Sequence, residues 1–214
     1  MVFIVGDIGS CHMGRLEYCF KAVDLAKRVG LDALKFQLFK NHTSNSLNVE
    51  LSYHLFPRVV DYAKGVGVKV FASVFDVEGL KVLKQSNCSM VKFAYSMRNN
   101  TGLIDKGLKS FDKVFISGDV MTVFPGSDRV VRLYCIPVYP VRYVVDFEGL
   151  FPLFDGFSDH TLGIGQTLEA VKHGAKVVEK HITLDEEGIV CPDHCFALHP
   201  KLLKELIHNV RGLS

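Results

Sequence analysis

Net charge is nearly absent from this sequence. Its 25 basic and 23 acidic residues leave +2 over 214 residues, too little for nucleic acid or an acidic membrane surface as partner. No apolar run is long enough to span a bilayer. The amino terminus, MVFIVGDIGSCHMG, lacks a basic leader and runs straight into a strand-like stretch, so no signal peptide is expected. No proline-, glycine- or serine-rich linker divides the chain, which predicts one domain over residues 1–214. Phosphate-binding glycine loops, dinucleotide fingerprints and the serine-elbow motif are also missing. Cysteines are present but unframed. Cys11, Cys19, Cys88, Cys135, Cys191 and Cys195 are scattered, several inside expected elements, which predicts reduced thiols and a cytoplasmic protein. The run Cys191-Pro-Asp-His-Cys195 lacks the second ligand pair of a structural zinc site, so it is not read as one.

What is there is a strict alternation. Strand-like apolar runs fall at 2–8, 33–39, 68–75, 90–95, 113–117, 130–136, 156–158 and 175–182. Helical spacing falls between most of them, at 16–30, 51–67 with Pro57 as a break, 77–85, 103–108 and 166–174. A polar loop is expected at 41–48, and a closing amphipathic helix at 200–213 with Pro200 in its first turn. After the fifth strand the pattern thins: TVFPGSD, 122–128, is too short and too broken for a helix, and 147–154 offers only a short helical turn. Eight strands with about seven helices predict a parallel α/β fold closed into a TIM (β/α)8 barrel, compact because such barrels usually take about 250 residues. The structural alternative is a doubly wound open sheet, but its edge strands are not evident among runs that look buried on both faces.

Polar residues at the strand ends carry the chemistry. Ser158-Asp-His160 and Glu179-Lys-His181 place two imidazoles at the ends of successive parallel strands, where one divalent metal can be held with positions left for water or substrate. Glu179 and His181 share a strand face, and Lys180 points away. Lys35 and Lys92 lie inside apolar strands, where a buried ammonium needs a partner or an anion. Gln37 shares the face of Lys35, and Ser73 and Ser117 occupy matching places on strands three and five. A phosphate or carboxylate ligand would suit this set. The bland alternative for each lysine is a stem lying along apolar surface with its head in water.

DIGSCHMG (7–14), GLDALKFQLFK (30–40), FASVFD (71–76), VKFAYS (91–96), ISGDVMT (116–122), YCIPVYPVRY (134–143), FSDHTLGIG (157–165), VVEKHITLD (177–185) and CPDHCFALHP (191–200) together resemble the sialic acid synthase family. The resemblance runs through nearly the whole chain and implies a TIM barrel. It also implies condensation of phosphoenolpyruvate with an N-acetylated hexosamine aldehyde to a nonulosonic acid. It makes His160 and His181 the metal ligands, usually for manganese, with magnesium the alternative. Lys35, Ser73, Lys92, Ser117 and Ser158 would hold phosphoenolpyruvate. Asp7, Gln37, Tyr139 and Asp193 would contact the amino-sugar. The catalytic set would be Asp7, Glu179, His160 and His181, with Asp7 or Glu179 as general base.

The chain departs from the family pattern at several places. Asp7 replaces a glutamate, Cys11 an asparagine, Pro137 an asparagine, and Tyr95-Ser96-Met97 a run of small residues ending in an acid. Family members also carry a carboxy-terminal antifreeze-like domain, whereas this sequence ends at Ser214. A homodimer or a separate capping subunit is the partner this suggests. A related sugar-acid synthase, an aldolase, or a metabolite-binding barrel of weak activity remain the competing readings.

Overall fold

A computed structural model describes residues 1–40, 49–185 and 187–213; the polar loop expected at 41–48 lies outside them. Eight parallel strands close into a barrel in sequence order. They are β1 (Phe3–Asp7), β2 (Ala33–Leu38), β3 (Val70–Val74), β4 (Met90–Phe93), β5 (Lys113–Gly118), β6 (Val130–Cys135), β7 (Gly156–Asp159) and β8 (Val177–His181), and β8 pairs back onto β1. The open-sheet alternative is thereby excluded. Six α-helices cover it: α1 (Leu16–Val29), α2 (Phe56–Val66), α3 (Val77–Gln85), α4 (Thr101–Ser110), α5 (Gly165–Lys172) and α6 (Pro200–Gly212).

Two expectations need correction. Helix α2 begins at Phe56 rather than at 51, because Pro57 occupies the first turn, where its missing N–H costs nothing, instead of breaking a longer helix. Against an expectation of about seven helices, six form: 147–154 is the short turn expected, with Leu150 N donating to the Phe147 carbonyl oxygen and Phe154 N to that of Leu150, and among the described residues no helix follows β5 or β6. The consequence is visible on β6: Val130, Arg132 and Tyr134 are only half-buried, whereas the residues of β7 and β3 are buried throughout.

The strand repeat of two sorts the interior into a plug and a mouth. Val5, Ala33, Phe71, Met90, Phe115 and Leu133 pack together inside the barrel, with Phe3, Val131 and Val177 at their edge. Two residues further along those strands stand Asp7, Lys35, Ser73, Lys92, Ser117, Cys135 and Glu179, all lining one cavity. The intervening residues, such as Ile4, Leu34, Phe36, Ala72, Val91 and Val178, face the helices and form the larger core. Each strand thus carries an apolar residue and then a polar one on the same face, and the polar ones meet at the carboxyl ends of the strands.

Candidate active site

Register brings the two histidine segments together. Strands β7 and β8 pair Ser158 with Glu179 and Asp159 with Lys180. Gly156 permits this approach, because a Cβ there would lie 2.1 Å from the Val177 carbonyl oxygen. The inward residues Ser158 and Glu179 then bond across the pair at 2.9 Å. The outward residues form a buried ion pair, Lys180 Nζ to Asp159 Oδ2 at 2.8 Å. Lys180 also donates to the Thr161 carbonyl oxygen, and Thr167 Oγ1 donates to Asp159. This clamp sits directly beneath His160 and His181. Sequence reasoning placed Lys180 outward but missed its partner; the signal was Asp159 and Lys180 occupying equivalent places in two adjacent motifs.

The site itself is a cavity of about 140 Å3 at the mouth of the barrel. Every candidate residue except Asp193 lines it: Asp7, Lys35, Gln37, Ser73, Lys92, Ser117, Tyr139, Ser158, His160, Glu179 and His181. Both lysines are buried, at 2% exposure each, so neither reaches water along apolar surface. Lys35 Nζ lies 2.7 Å from Asp7 Oδ2, 3.8 Å from Glu179 Oε1 and 2.8 Å from Ser73 Oγ. Lys92 Nζ lies 2.5 Å from Glu179 Oε1 and 3.4 Å from Ser158 Oγ. Burial alone would push Asp7 and Glu179 up, but the ammonium groups outweigh it and hold both carboxyls below their ordinary range. Burial pulls Lys92 down, with Lys35 adding like-charge repulsion, while two carboxylates overcome burial and raise Lys35. The four charges are balanced within the cavity.

Three side chains lining it have a buried polar atom with no partner, Ser117 Oγ, Glu179 Oε2 and His181 Nδ1. Buried polar atoms left unpaired are costly, so an acceptor and a donor aimed into a cavity point to a ligand. The Glu179 carboxylate lies among Lys35, Lys92 and Ser158, within electrostatic reach of His160.

The histidines sit above this charge cluster. Their ring centroids are 5.5 Å apart. His160 Nδ1 lies 3.1 Å from the Ile136 carbonyl oxygen; as donor there, it leaves Nε2 with a free lone pair aimed elsewhere. Burial lowers His160 to about 4, with His181 contributing, so it is neutral and able to ligate. His181 Nδ1 has no hydrogen-bond partner, and its Nε2 is 3.4 Å from Asp7 Oδ2. Two neutral-capable imidazoles with unspent lone pairs fit a divalent ion. No group of three or more histidine, cysteine or carboxylate side chains is placed to hold one among the described residues, so water and substrate would complete the coordination.

Asp193 stands apart. Its Oδ2 accepts from Ser10 N and Oγ, each at 2.6 Å, and lies 3.9 Å from His181 Nδ1. Gly9, in the left-handed region at φ +49°, makes room: a Cβ there would come within 2.3 Å of that carboxylate oxygen. Sequence reasoning did not single out Phe75 or Cys135 as lining residues, nor Phe196, whose ring packs 5.0 Å from that of His181. Cys135 was legible from the strand repeat, being two beyond the inward Leu133. Phe196 was not, because it belongs to an irregular segment. Tyr139 covers the histidines, its ring 4.1 Å from that of His160.

The model of the NeuB family matches residues 45–214. The chain belongs to the NeuB family. This NeuB chain is 29% identical to human N-acetylneuraminate-9-phosphate synthase over 251 aligned positions, covering 98% of this chain and 69% of that protein. It is 28% identical to the N,N'-diacetyllegionaminic acid synthase of Legionella pneumophila, covering 98% and 71%. Among solved structures, the N-acetylneuraminic acid synthetase of Leptospira borgpetersenii, crystallised with citrate, superposes with a TM-score of 0.87 at 24% identity, covering 99% of this chain and 83% of that one. The fold is thus a sialic acid synthase barrel. Because 251 aligned positions exceed 214 residues, the NeuB chain is shorter than its human relative within the shared region, in keeping with two helix-free crossovers.

Proposed function

We propose that this NeuB-family protein condenses phosphoenolpyruvate with an N-acetylhexosamine or a related sugar aldehyde, giving a nonulosonic acid and inorganic phosphate. The observation that carries the reading is the pair of buried lysines among three serine hydroxyls, with Ser117 Oγ unpartnered beside them. Two ammonium groups and donor hydroxyls suit a small ligand bearing a phosphate and a carboxylate. The family membership supports the same chemistry, since the relatives' names are those of sugar-acid synthases.

In this reading Lys35, Lys92, Ser73, Ser117 and Ser158 bind the phosphate and carboxylate. Lys92 exchanges Glu179 for the ligand's anion, which releases the Glu179 carboxylate. Carbon 3 of phosphoenolpyruvate attacks the aldehyde carbon, and the resulting alkoxide takes a proton from solvent. Water adds at carbon 2 and gives its proton to Glu179, a residue lining the cavity whose Oε2 is buried without a partner. Cleavage of the C–O bond then expels phosphate. Glu179 is preferred over Asp7 as base, because Asp7 Oδ2 is already engaged by Lys35 and Gln37. Asp7 and Gln37, with Tyr139 above, line the side where the sugar enters, and Asp193 lies behind His181. His160 and His181 would hold a divalent ion, manganese or magnesium, which supplies Lewis-acid polarisation of the aldehyde oxygen.

The test is phosphate release by the purified protein with manganese, phosphoenolpyruvate and a panel of N-acetylhexosamines. Release that depends on one of these sugars is expected. Release only with simpler aldehydes would assign another synthase or aldolase reaction. Phosphoenolpyruvate bound without turnover by any aldehyde would overturn the reading in favour of a binding barrel.

A further inference from the structure

Two cysteines from opposite ends of the sequence touch beside the mouth. Cys11 follows β1 and Cys191 lies in the segment between β8 and α6; their sulfurs are 3.3 Å apart. Cys11 is fully buried and Cys191 half-buried. The Cys191 contact and burial push the Cys11 thiol up. Cys19, Cys88 and Cys135 are pushed up by burial, to about 12, 12 and 11. Cys195 is exposed and donates to the Pro192 carbonyl oxygen at 3.5 Å. The contact between Cys11 and Cys191 sits next to a second tie between the same two loops, Ser10 to Asp193. The backbone there is therefore already held in register, and closing the gap to a covalent S–S distance of about 2.0 Å needs a shift of little more than 1 Å.

We propose that Cys11 and Cys191 form a reversible thiol–disulfide clamp that fastens the segment after β8 to the loop after β1. Cys191 is the attacking thiol, because it is the solvent-reachable member and the Cys11 thiol and Ser10 hydroxyl beside it pull it down to about 6. Its thiolate attacks a small-molecule disulfide, forming a mixed disulfide and expelling one thiolate. Cys11 then attacks the Cys191 sulfur. The Cys11 proton passes to the second departing thiolate. Two protein thiols and one small disulfide thus become one protein disulfide and two small thiols. The clamp would pin Asp193 beside His181 at the rim of the cavity. It does not rest on the proposed condensation, because it is read from thiol chemistry alone.

The full chain is incubated under native conditions with excess oxidised glutathione, then alkylated and mapped by mass spectrometry. The expected result is a Cys11–Cys191 cross-linked peptide with a loss of two hydrogens, and four alkylated cysteines in place of six. A dithiol should restore all six. In Cys11→Ser, Cys191 should retain one glutathione as a stable mixed disulfide. In Cys195→Ser the cross-link should be undiminished. A Cys191–Cys195 disulfide, or modification confined to Cys195 while Cys11 and Cys191 stay reduced, would overturn the proposal.

Discussion

His12 is a residue whose burial has a measurable consequence. Its Nδ1 accepts from Gly14 N at 3.0 Å, and its Nε2 is buried without a partner. Desolvation lowers it to about 4 from its ordinary 6.5, against the pull of Asp7 and Asp193. The unfolded chain therefore binds a proton that the folded chain refuses between those two values. Folding stability is complete above pH 6.5 on this account and falls as pH drops towards 4, by about 3 kcal/mol at about 1.4 kcal/mol per pH unit. His12→Gln should flatten this part of the profile, measured by urea unfolding at pH 7, 5.5 and 4; an unchanged slope would remove His12 as its cause. Lys92 is the second residue to test. Lys92→Ala removes one of the two ammonium groups in the cavity, and charge-assisted bonds of about 1.5–3 kcal/mol predict a roughly 10- to 100-fold rise in KM for phosphoenolpyruvate. An unchanged KM in a variant that melts normally would exclude it from the ligand site. His181→Ala should abolish turnover while the barrel still unfolds cooperatively, since the residue sits at the rim and the losses are its Asp7 contact and its packing on Phe196, checked by thermal melting beside the assay.

Pairs of strands decide more than single residues do. The β7–β8 register carries two cross-strand contacts of opposite character. One is inward and belongs to the cavity, Ser158 with Glu179. The other is outward and buried, Lys180 with Asp159, at 1% and 0% side-chain exposure. Removing one partner of a buried pair leaves a charge with no compensation, at a cost of about 3–5 kcal/mol. Asp159→Asn should therefore lower stability by that order in denaturant titration, although the residue points away from the cavity. A loss below about 1 kcal/mol would show that the pair is not held together in solution. These elements were legible as strands because their apolar runs are continuous. Their inward and outward faces followed from the repeat of two once Glu179 and Lys180 were taken to point opposite ways. The partners across the sheet were not legible, because register depends on backbone approach at Gly156, over 20 residues from Val177.

At the scale of the molecule, the barrel is unevenly covered. Helices pack outside most strands, but the crossovers after β5 and β6 carry none among the described residues, and β6 presents a half-buried outer face. Val120, Met121, Val123 and Val144 are strongly exposed along these crossovers. Local opening follows low apolar burial. Amide hydrogen exchange should therefore be fastest, among the strands, in β6, and slowest in β3 and β7, whose residues are buried throughout. Uniform protection of all eight strands would count against this. The thinning of the pattern after the fifth strand was readable from TVFPGSD, since proline and glycine leave too few residues for a helix. The lack of a helix after β6 was readable too, since 147–154 offers only a short helical turn and that turn is what forms. No described helix is long and apolar enough to cross a membrane.

The sequence by itself determined the eight-strand alternation, the closure into a barrel, and which residues belong to the mouth. Those follow from local chemistry: apolar runs, a repeat of two, and polar residues at strand ends. Only the tertiary structure decided who partners whom. Glu179 pairs with Lys92 and Lys35, Asp193 is tied to Ser10, and Cys11 meets Cys191 across the chain. Such contacts join residues as many as 183 positions apart. Their geometry is set by how the sheet closes and how the loops above it pack, which no local pattern encodes.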